Sequence, residues 1–90
     1  MAIRQAVRYS GTVQGVGFRA TAQAIARSMP VTGLVRNEPD GTVWLEVQGQ
    51  PSDVQAYLHA LAQAMQGRIA RANHHDLPTR TDETGFVIEH

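Results

Sequence analysis

Residues 31–48 of the chain read VTGLVRNEPDGTVWLEVQ. Residues 42–48 alternate as a strand does, with Val43, Leu45 and Val47 on one side and the polar or amphipathic residues between them on the other. The sequence EPDG at 38–41 favours a tight turn, because proline presets φ at the second turn position and glycine accepts the geometry at the exit. Residues 31–37 and 42–48 are therefore predicted to form a β-hairpin.

A strand and a helix are predicted on each side of this hairpin. Residues 6–13 alternate as a strand, and residues 69–77 and 86–89 are predicted as the remaining strands. Two apolar stripes with four-three-four spacing predict the helices, Phe18-Ala22-Ile25-Met29 and Val54-Leu58-Leu61-Met65. Ser52 and Gln55 match a capping box at the start of the second helix, and Gly67 is a candidate C-terminal cap.

The order of these elements is βαββαβ with a short C-terminal strand. Two strand–helix–strand halves joined by a hairpin are typical of the ferredoxin-like sandwich, an α+β fold. Each helix has one apolar stripe, so both are expected on one face of an antiparallel sheet. A length of 90 residues predicts a single domain spanning residues 1–90.

Composition excludes several classes of protein. The chain is 42% hydrophobic and carries no net charge, so disorder is not expected. There is no surplus of positive charge to bind nucleic acid or a membrane surface, and the third strand has one aromatic residue, Trp44, where RNA-binding modules of this fold stack bases. The absence of cysteine excludes disulfides and thiolate chemistry, and the absence of lysine excludes Schiff-base chemistry. No apolar run approaches the length of a membrane helix, and we expect a cytoplasmic protein.

The segment GTVQGVGFR, residues 11–19, is the most informative motif in the chain. Its three glycines lie between a strand and the start of a helix, where unpaired N–H groups and the helix dipole favour an anion. Arg19 adds a permanent positive charge. The segment matches neither the dinucleotide-binding glycine pattern nor the P-loop. From the residues alone, an anion site and a surface loop that needs glycine only for turning both remain open.

Three other polar segments allow a functional and a structural interpretation. Asn37, after Arg36, lies beside the turn, where asparagine commonly serves turn geometry. Residues 74–76, His-His-Asp, resemble a metal-ligand cluster, but adjacent residues of a strand point to opposite sides, which favours a solvated surface segment. Glu38 and Asp40 could hold Mg²⁺, or could simply be soluble turn residues.

Two of these segments resemble the signatures of a known family. Residues 11–19 closely resemble the first signature of the acylphosphatase family, and GLVRN at 33–37, followed by GTV at 41–43 and by Gly49, resembles the second. The closing GFVI at 85–88 is also similar, so the resemblance covers nearly the whole chain. Tyr9 and Leu34 depart from the family pattern, and we expect both to be packing positions.

The resemblance implies an enzyme that hydrolyses small acyl phosphates to a carboxylate and inorganic phosphate. We expect a monomer that needs no cofactor and no metal, because the sequence has no credible cluster of metal ligands. The resemblance implies that Arg19 binds the phosphate together with the backbone N–H groups of Gln14, Gly15, Val16, Gly17 and Phe18. It also implies that Asn37 holds the attacking water and that the two motifs meet in space. The alternative is a non-catalytic module of the same fold that binds an anion or carbamoyl phosphate.

Overall fold

The computed structural model describes all 90 residues. The elements follow the predicted order, with strand and helix boundaries within a few residues of those expected. They are β1 Ile3–Gly11, α1 Phe18–Arg27, β2 Thr32–Asn37, β3 Val43–Gly49, α2 Pro51–Ala64, β4 Ile69–Leu77 and β5 Phe86–Glu89. The longest helix, α2, has 14 residues, and neither helix is long and apolar enough to cross a membrane.

The five strands form one sheet in the order β4-β1-β3-β2-β5, with two helices packed on it, and the ferredoxin-like prediction is confirmed. The pairs β1–β3, β1–β4 and β2–β3 are antiparallel as expected, but β5 pairs parallel with β2, so the sheet is mixed. The reason is the connection at residues 78–85, which we call the crossing segment. It passes from the β4 edge to the β5 edge at one end of the sheet, so β5 runs in the direction of β2.

The core lies between the sheet and the helices. It contains sixteen buried residues, among them Val7, Val35, Leu45 and Leu61. Tyr9 and Leu34 are both buried, as expected for packing positions. The helix stripes needed correction: Ile25, Met29 and Leu58 are only partly buried, whereas Ala26 and Tyr57 are buried.

Tyr57 is part of the core, and its buried hydroxyl donates a hydrogen bond to the carbonyl of Ala22, 2.9 Å away, which joins α2 to α1. The predicted capping box at Ser52 and Gln55 was wrong. The N-cap of α2 is Gln50 and no side chain caps the helix, because Pro51 presets φ for the first helical position and starts the helix earlier. Gly67 is not the C-cap either, since that position is Met65.

The other face of the sheet carries polar side chains. Arg4, buried at 2% exposure, binds Glu46 through Nη2 at 2.8 Å and Glu83 of the crossing segment through Nη1 at 2.8 Å. Trp44 lies close to two arginines, with Arg8 and Arg36 at 5.0 and 5.8 Å from its ring centroid.

The segment His74–Asp76 lies on the exposed edge strand β4, in agreement with the surface interpretation. His75 is stacked on Trp44 at 6.1 Å between ring centroids. In the turn, Asp40 accepts hydrogen bonds from the N–H and hydroxyl of Thr42. No group of three or more acidic or histidine side chains is arranged to hold a metal ion.

Candidate active site

The sheet topology brings the two motifs together at one edge. Strands β1 and β2 both run antiparallel to β3, which lies between them, and therefore run parallel to each other. Tyr9 of β1 and Asn37 of β2 both pair with Val43. The loop after β1 thus begins at the same end of the sheet at which Asn37 is located.

A cleft of about 210 Å³ opens at this point. It is lined by residues of the glycine loop and α1, by the end of β2, and by the C-terminal residues: Val13, Gly15, Gly17, Phe18, Arg19, Ala20, Asn37, Ile88 and His90. The structure therefore places five of the seven predicted site residues around one cavity. The other two, Gln14 and Val16, belong to the same loop, but their side chains point elsewhere.

The loop depends on two glycines with left-handed backbone geometry. Gly15 has φ of +76° and Gly17 has φ of +79°. Apart from the adjacent residues, no atom lies within 4 Å of the position that a Cβ would take at either residue. Conformation, and not lack of space, therefore requires glycine here.

The backbone N–H groups of this loop have no partners in the protein. None from Gln14 to Ala20 donates to a protein acceptor, and the first donor beyond them is Thr21, which bonds to Gly17 O at 3.0 Å. Helix α1 has no side-chain cap and no acidic residue in its first turn. Successive unpaired N–H groups at the positive end of a helix dipole form a site for an anion.

Arg19 places a cation in the same cleft. Arg4, Arg8, Arg36 and Arg80 lie within 4.0 Å of a carboxylate. The other four arginines, Arg19, Arg27, Arg68 and Arg71, make no salt bridge, and of these only Arg19 lines the cleft. Its side chain is half-buried at the edge of the cleft. Its charge is therefore available to a bound anion.

Asn37 contributes a polar atom that lacks a partner. Its Oδ1 is buried and accepts no hydrogen bond, the only buried side-chain nitrogen or oxygen in this condition. Leaving a buried acceptor unpaired costs about 1–3 kcal/mol. Since Asn37 lines the cleft, the oxygen is available to a hydrogen-bond donor that binds there.

The side chains of Gln14 and Val16 point away from the cleft and contact other parts of the chain. Val16 packs against the core, and Gln14 Nε2 donates hydrogen bonds to the carbonyls of Glu38 and Thr42. Their backbone N–H groups still belong to the unpaired series.

The residues missed by sequence reasoning were Val13, Ala20, Ile88 and His90. The last two line the cleft because β5 pairs with β2, and the closing GFVI motif was the only sequence signal near them.

Comparison with known proteins supports the family resemblance. The family model described as "Acylphosphatase" matches residues 5–88. An acylphosphatase of Methanospirillum hungatei is 44% identical over 66 residues, which is 73% of this chain and 72% of that protein. One of Geobacillus kaustophilus is 43% identical over 79 residues, 87% of this chain and 84% of that protein. The crystal structure of acylphosphatase from Bacillus subtilis superimposes with a TM-score of 0.88 at 24% identity over 100% of both chains.

Proposed function

The chain belongs to the acylphosphatase family and hydrolyses acyl phosphates, and we propose that Arg19, the backbone of the glycine loop and Asn37 carry this reaction. One observation carries the proposal: the same cleft contains unpaired hydrogen-bond donors and a buried acceptor without a partner. Unpaired N–H groups and an unpaired arginine require an anion, and the buried Oδ1 of Asn37 requires a donor.

The phosphate group binds to the loop and to Arg19. The N–H groups of Gln14 to Phe18 surround it, and the guanidinium of Arg19 offers two parallel N–H groups to two of its oxygens. In the loose transition state of phosphoryl transfer, charge is spread over the non-bridging oxygens. Donors already fixed in place stabilise this charge without reorganisation.

Asn37 holds the attacking water. Its Oδ1 accepts one hydrogen of the water, which turns an oxygen lone pair toward the phosphorus. A new P–O bond forms from the water, and the P–O bond to the acyl oxygen breaks. The leaving group is a carboxylate, whose conjugate acid has a pKa of about 4, so it departs without a general acid.

The proton of the water goes to a phosphate oxygen, because a neutral amide cannot accept it at pH 7. All the groups in this scheme belong to the chain or to the substrate, and no step requires a metal or an organic cofactor. The proposed site uses residues of one chain, so we propose that the monomer is the active unit. A cytoplasmic location stays a prediction from the sequence, and cell fractionation would check it.

The test of this proposal is Asn37→Ala, assayed with acetyl phosphate. We expect a loss of turnover of at least about 100-fold, comparable to the removal of a preorganised hydrogen-bonding group. Inhibition by inorganic phosphate should remain near the wild-type value, because the phosphate site is intact. Asn73→Ala, on the exposed strand β4, is the matched control and should keep full activity.

Two results would contradict the proposal. If Asn37→Ala keeps its turnover, Asn37 does not hold the water. If phosphate inhibition weakens in step with turnover, Asn37 binds the phosphate instead.

A further inference from the structure

The side chain of Gln14 connects the two halves of the cleft. Its Nε2 donates to Glu38 O at 2.8 Å and to Thr42 O at 2.9 Å, which lie 24 and 28 residues away in the chain. Both hydrogens of the side-chain amide are therefore used, and both acceptors belong to the turn between β2 and β3. The side chain is partly buried, so water competes weakly for these bonds.

The turn held by Gln14 is the one that positions Asn37. Glu38 follows Asn37 directly, and Thr42 precedes Val43, the strand partner of Asn37. Thr42 O also accepts the N–H of Glu38 at 2.8 Å, which closes the turn. Gln14 thus binds the carbonyls at both ends of the segment that follows Asn37.

Apart from the packing of Val13 and Val16 against the core, the loop itself has few other contacts that fix its backbone. No backbone N–H or C=O from Val13 to Val16 makes a hydrogen bond within the protein. In this part of the loop, the two bonds of the Gln14 side chain are the only hydrogen bonds to the rest of the chain. Neighbouring attachments lie on either side of it, at Thr12, which bonds to Arg68 O, and at Gly17, which accepts the N–H of Thr21.

We propose that Gln14 is a positioning residue, whose side chain sets the distance between the phosphate loop and the water held by Asn37. The inference rests on the proposed roles of the loop and Asn37. Attack requires the water oxygen and the phosphorus to be in near-attack geometry, and an error of about 1 Å can cost about 100-fold in rate. Gln14 does not touch the substrate through its side chain. It acts through the backbone of the turn.

The test compares Gln14→Ala with Gln14→Glu. The glutamate variant keeps the shape of the side chain but replaces its two N–H donors with acceptors that face two carbonyls. In both variants we expect kcat for acetyl phosphate to fall by about 10- to 100-fold. Inhibition by inorganic phosphate should change much less than kcat, because Arg19 and the N–H groups remain on the loop.

Gln48→Ala is the matched control for a purely structural effect. Gln48 Nε2 also donates to a backbone carbonyl, Arg80 O at 2.7 Å, but Gln48 pairs with Arg4 and Thr32 at the opposite end of β3 from Val43. Its removal should lower the free energy of unfolding and leave kcat unchanged at a temperature where all variants are folded. Circular dichroism at the assay temperature checks that condition.

The outcomes separate this inference from the proposed function. Wild-type kcat in the Gln14 variants, while Asn37→Ala is inactive, would overturn the positioning role alone. A loss of kcat in Gln48→Ala equal to that in Gln14→Ala would also overturn it, because the effect would then be one of general stability. Full activity of Asn37→Ala would contradict the proposed function itself.

Discussion

At the scale of single residues, the cleft contains one arginine whose charge is not neutralised by the protein. Arg19 has no carboxylate partner, and the N–H groups beside it have no acceptors. A simple positive field and a fixed pair of donors would both attract a phosphate. The two differ in what they require of the side chain, because only the second depends on the planar shape of the guanidinium.

Arg19→Lys distinguishes these two possibilities, because lysine keeps the charge but cannot reproduce the fork. We expect the rate to fall by about 10²–10³, the cost of losing a well-placed donor at a developing charge, and phosphate inhibition to weaken. Thermal unfolding should be unchanged, since Arg19 is outside the core. Arg27→Lys, at the exposed end of α1, is the control. A folded Arg19→Lys enzyme with wild-type kinetics would leave only the backbone N–H groups as the phosphate site.

Single residues differ in how far the sequence reveals their function. The glycines and Arg19 could be identified as a candidate anion site from their position between a strand and a helix. Asn37 could be assigned a role only through the family resemblance, because an asparagine beside a turn also has an ordinary structural explanation. Its distinguishing property is a buried oxygen without a partner, which depends on the packing of residues distant in sequence. The bridging bonds of Gln14 likewise depend on where the hairpin lies.

At the scale of elements, the loop before α1 has positive φ at Gly15 and Gly17, a backbone conformation that is disfavoured for residues with a Cβ. Gly15→Ala should cost about 1–2 kcal/mol of stability, because a Cβ is disfavoured at positive φ. It should also weaken phosphate inhibition and lower the rate, since relief of the strain turns the N–H groups away from the cleft. Gly85→Ala is closely matched: its φ is +73°, and no atom lies near its Cβ position.

Gly85 is the last residue of the crossing segment and directly precedes β5, at the opposite end of that strand from the cleft. The control should therefore lose similar stability with little loss of activity, as measured by urea unfolding and by the acetyl phosphate assay. Equal loss of activity in the two variants would mean that the backbone geometry of Gly15 has no particular function in the cleft.

The elements themselves were largely predictable, and the exceptions have physical causes. Helical spacing identified both helices and alternation identified β1 and β3, whereas β4 alternates little because it is an exposed edge strand with only its end residues partly buried. The meeting of the two motifs was expected only from the family resemblance, because β3 lies between β1 and β2 in the sheet and the residues alone do not show that the two strand ends are close. The direction of β5 was not predictable, since it depends on the path of the crossing segment and on the partners of Arg4.

At the scale of the whole molecule, many of the acidic side chains lie in salt-bridge networks with arginine and not in metal-binding clusters. No set of three or more acidic or histidine residues is placed to hold a metal ion. We therefore expect activity with acetyl phosphate to persist in EDTA at full strength, as measured by phosphate release after dialysis against the chelator. Loss of activity that Mg²⁺ restores would contradict this and would make Glu38 and Asp40 candidate ligands.

The crossing segment is bound to the polar face of the sheet and leads into a strand that lines the cleft. It leads into β5, which carries Ile88 to the cleft wall, and Glu83 ties it to Arg4 through hydrogen bonds of 2.8 and 3.0 Å. Burial raises the pKa of Glu83, but hydrogen bonds from Arg4 and Thr32 outweigh it and leave the pKa below its usual value. Burial likewise raises the pKa of Glu46, and its bonds from Trp44 and Arg4 lower it further than burial raises it.

These shifts predict that the protein loses stability in acid. A carboxyl group with a lowered pKa in the folded state stabilises fully above its unfolded pKa of about 4.3, and the contribution disappears as pH falls through the folded pKa. The free energy of unfolding should therefore decrease as the pH drops below about 4.5. Its slope against pH should be smaller in Glu83→Gln, which has one such group fewer.

At neutral pH the Glu83→Gln variant should lose about 1.5–3 kcal/mol of unfolding free energy, the value of a hydrogen bond to a charged group. Glu89→Gln, which removes an exposed partner of Arg36, is the control and should change little. Urea unfolding from pH 3 to pH 7 measures all three proteins, and a wild-type slope in Glu83→Gln would show that the Arg4–Glu83 pair does not hold the crossing segment in place.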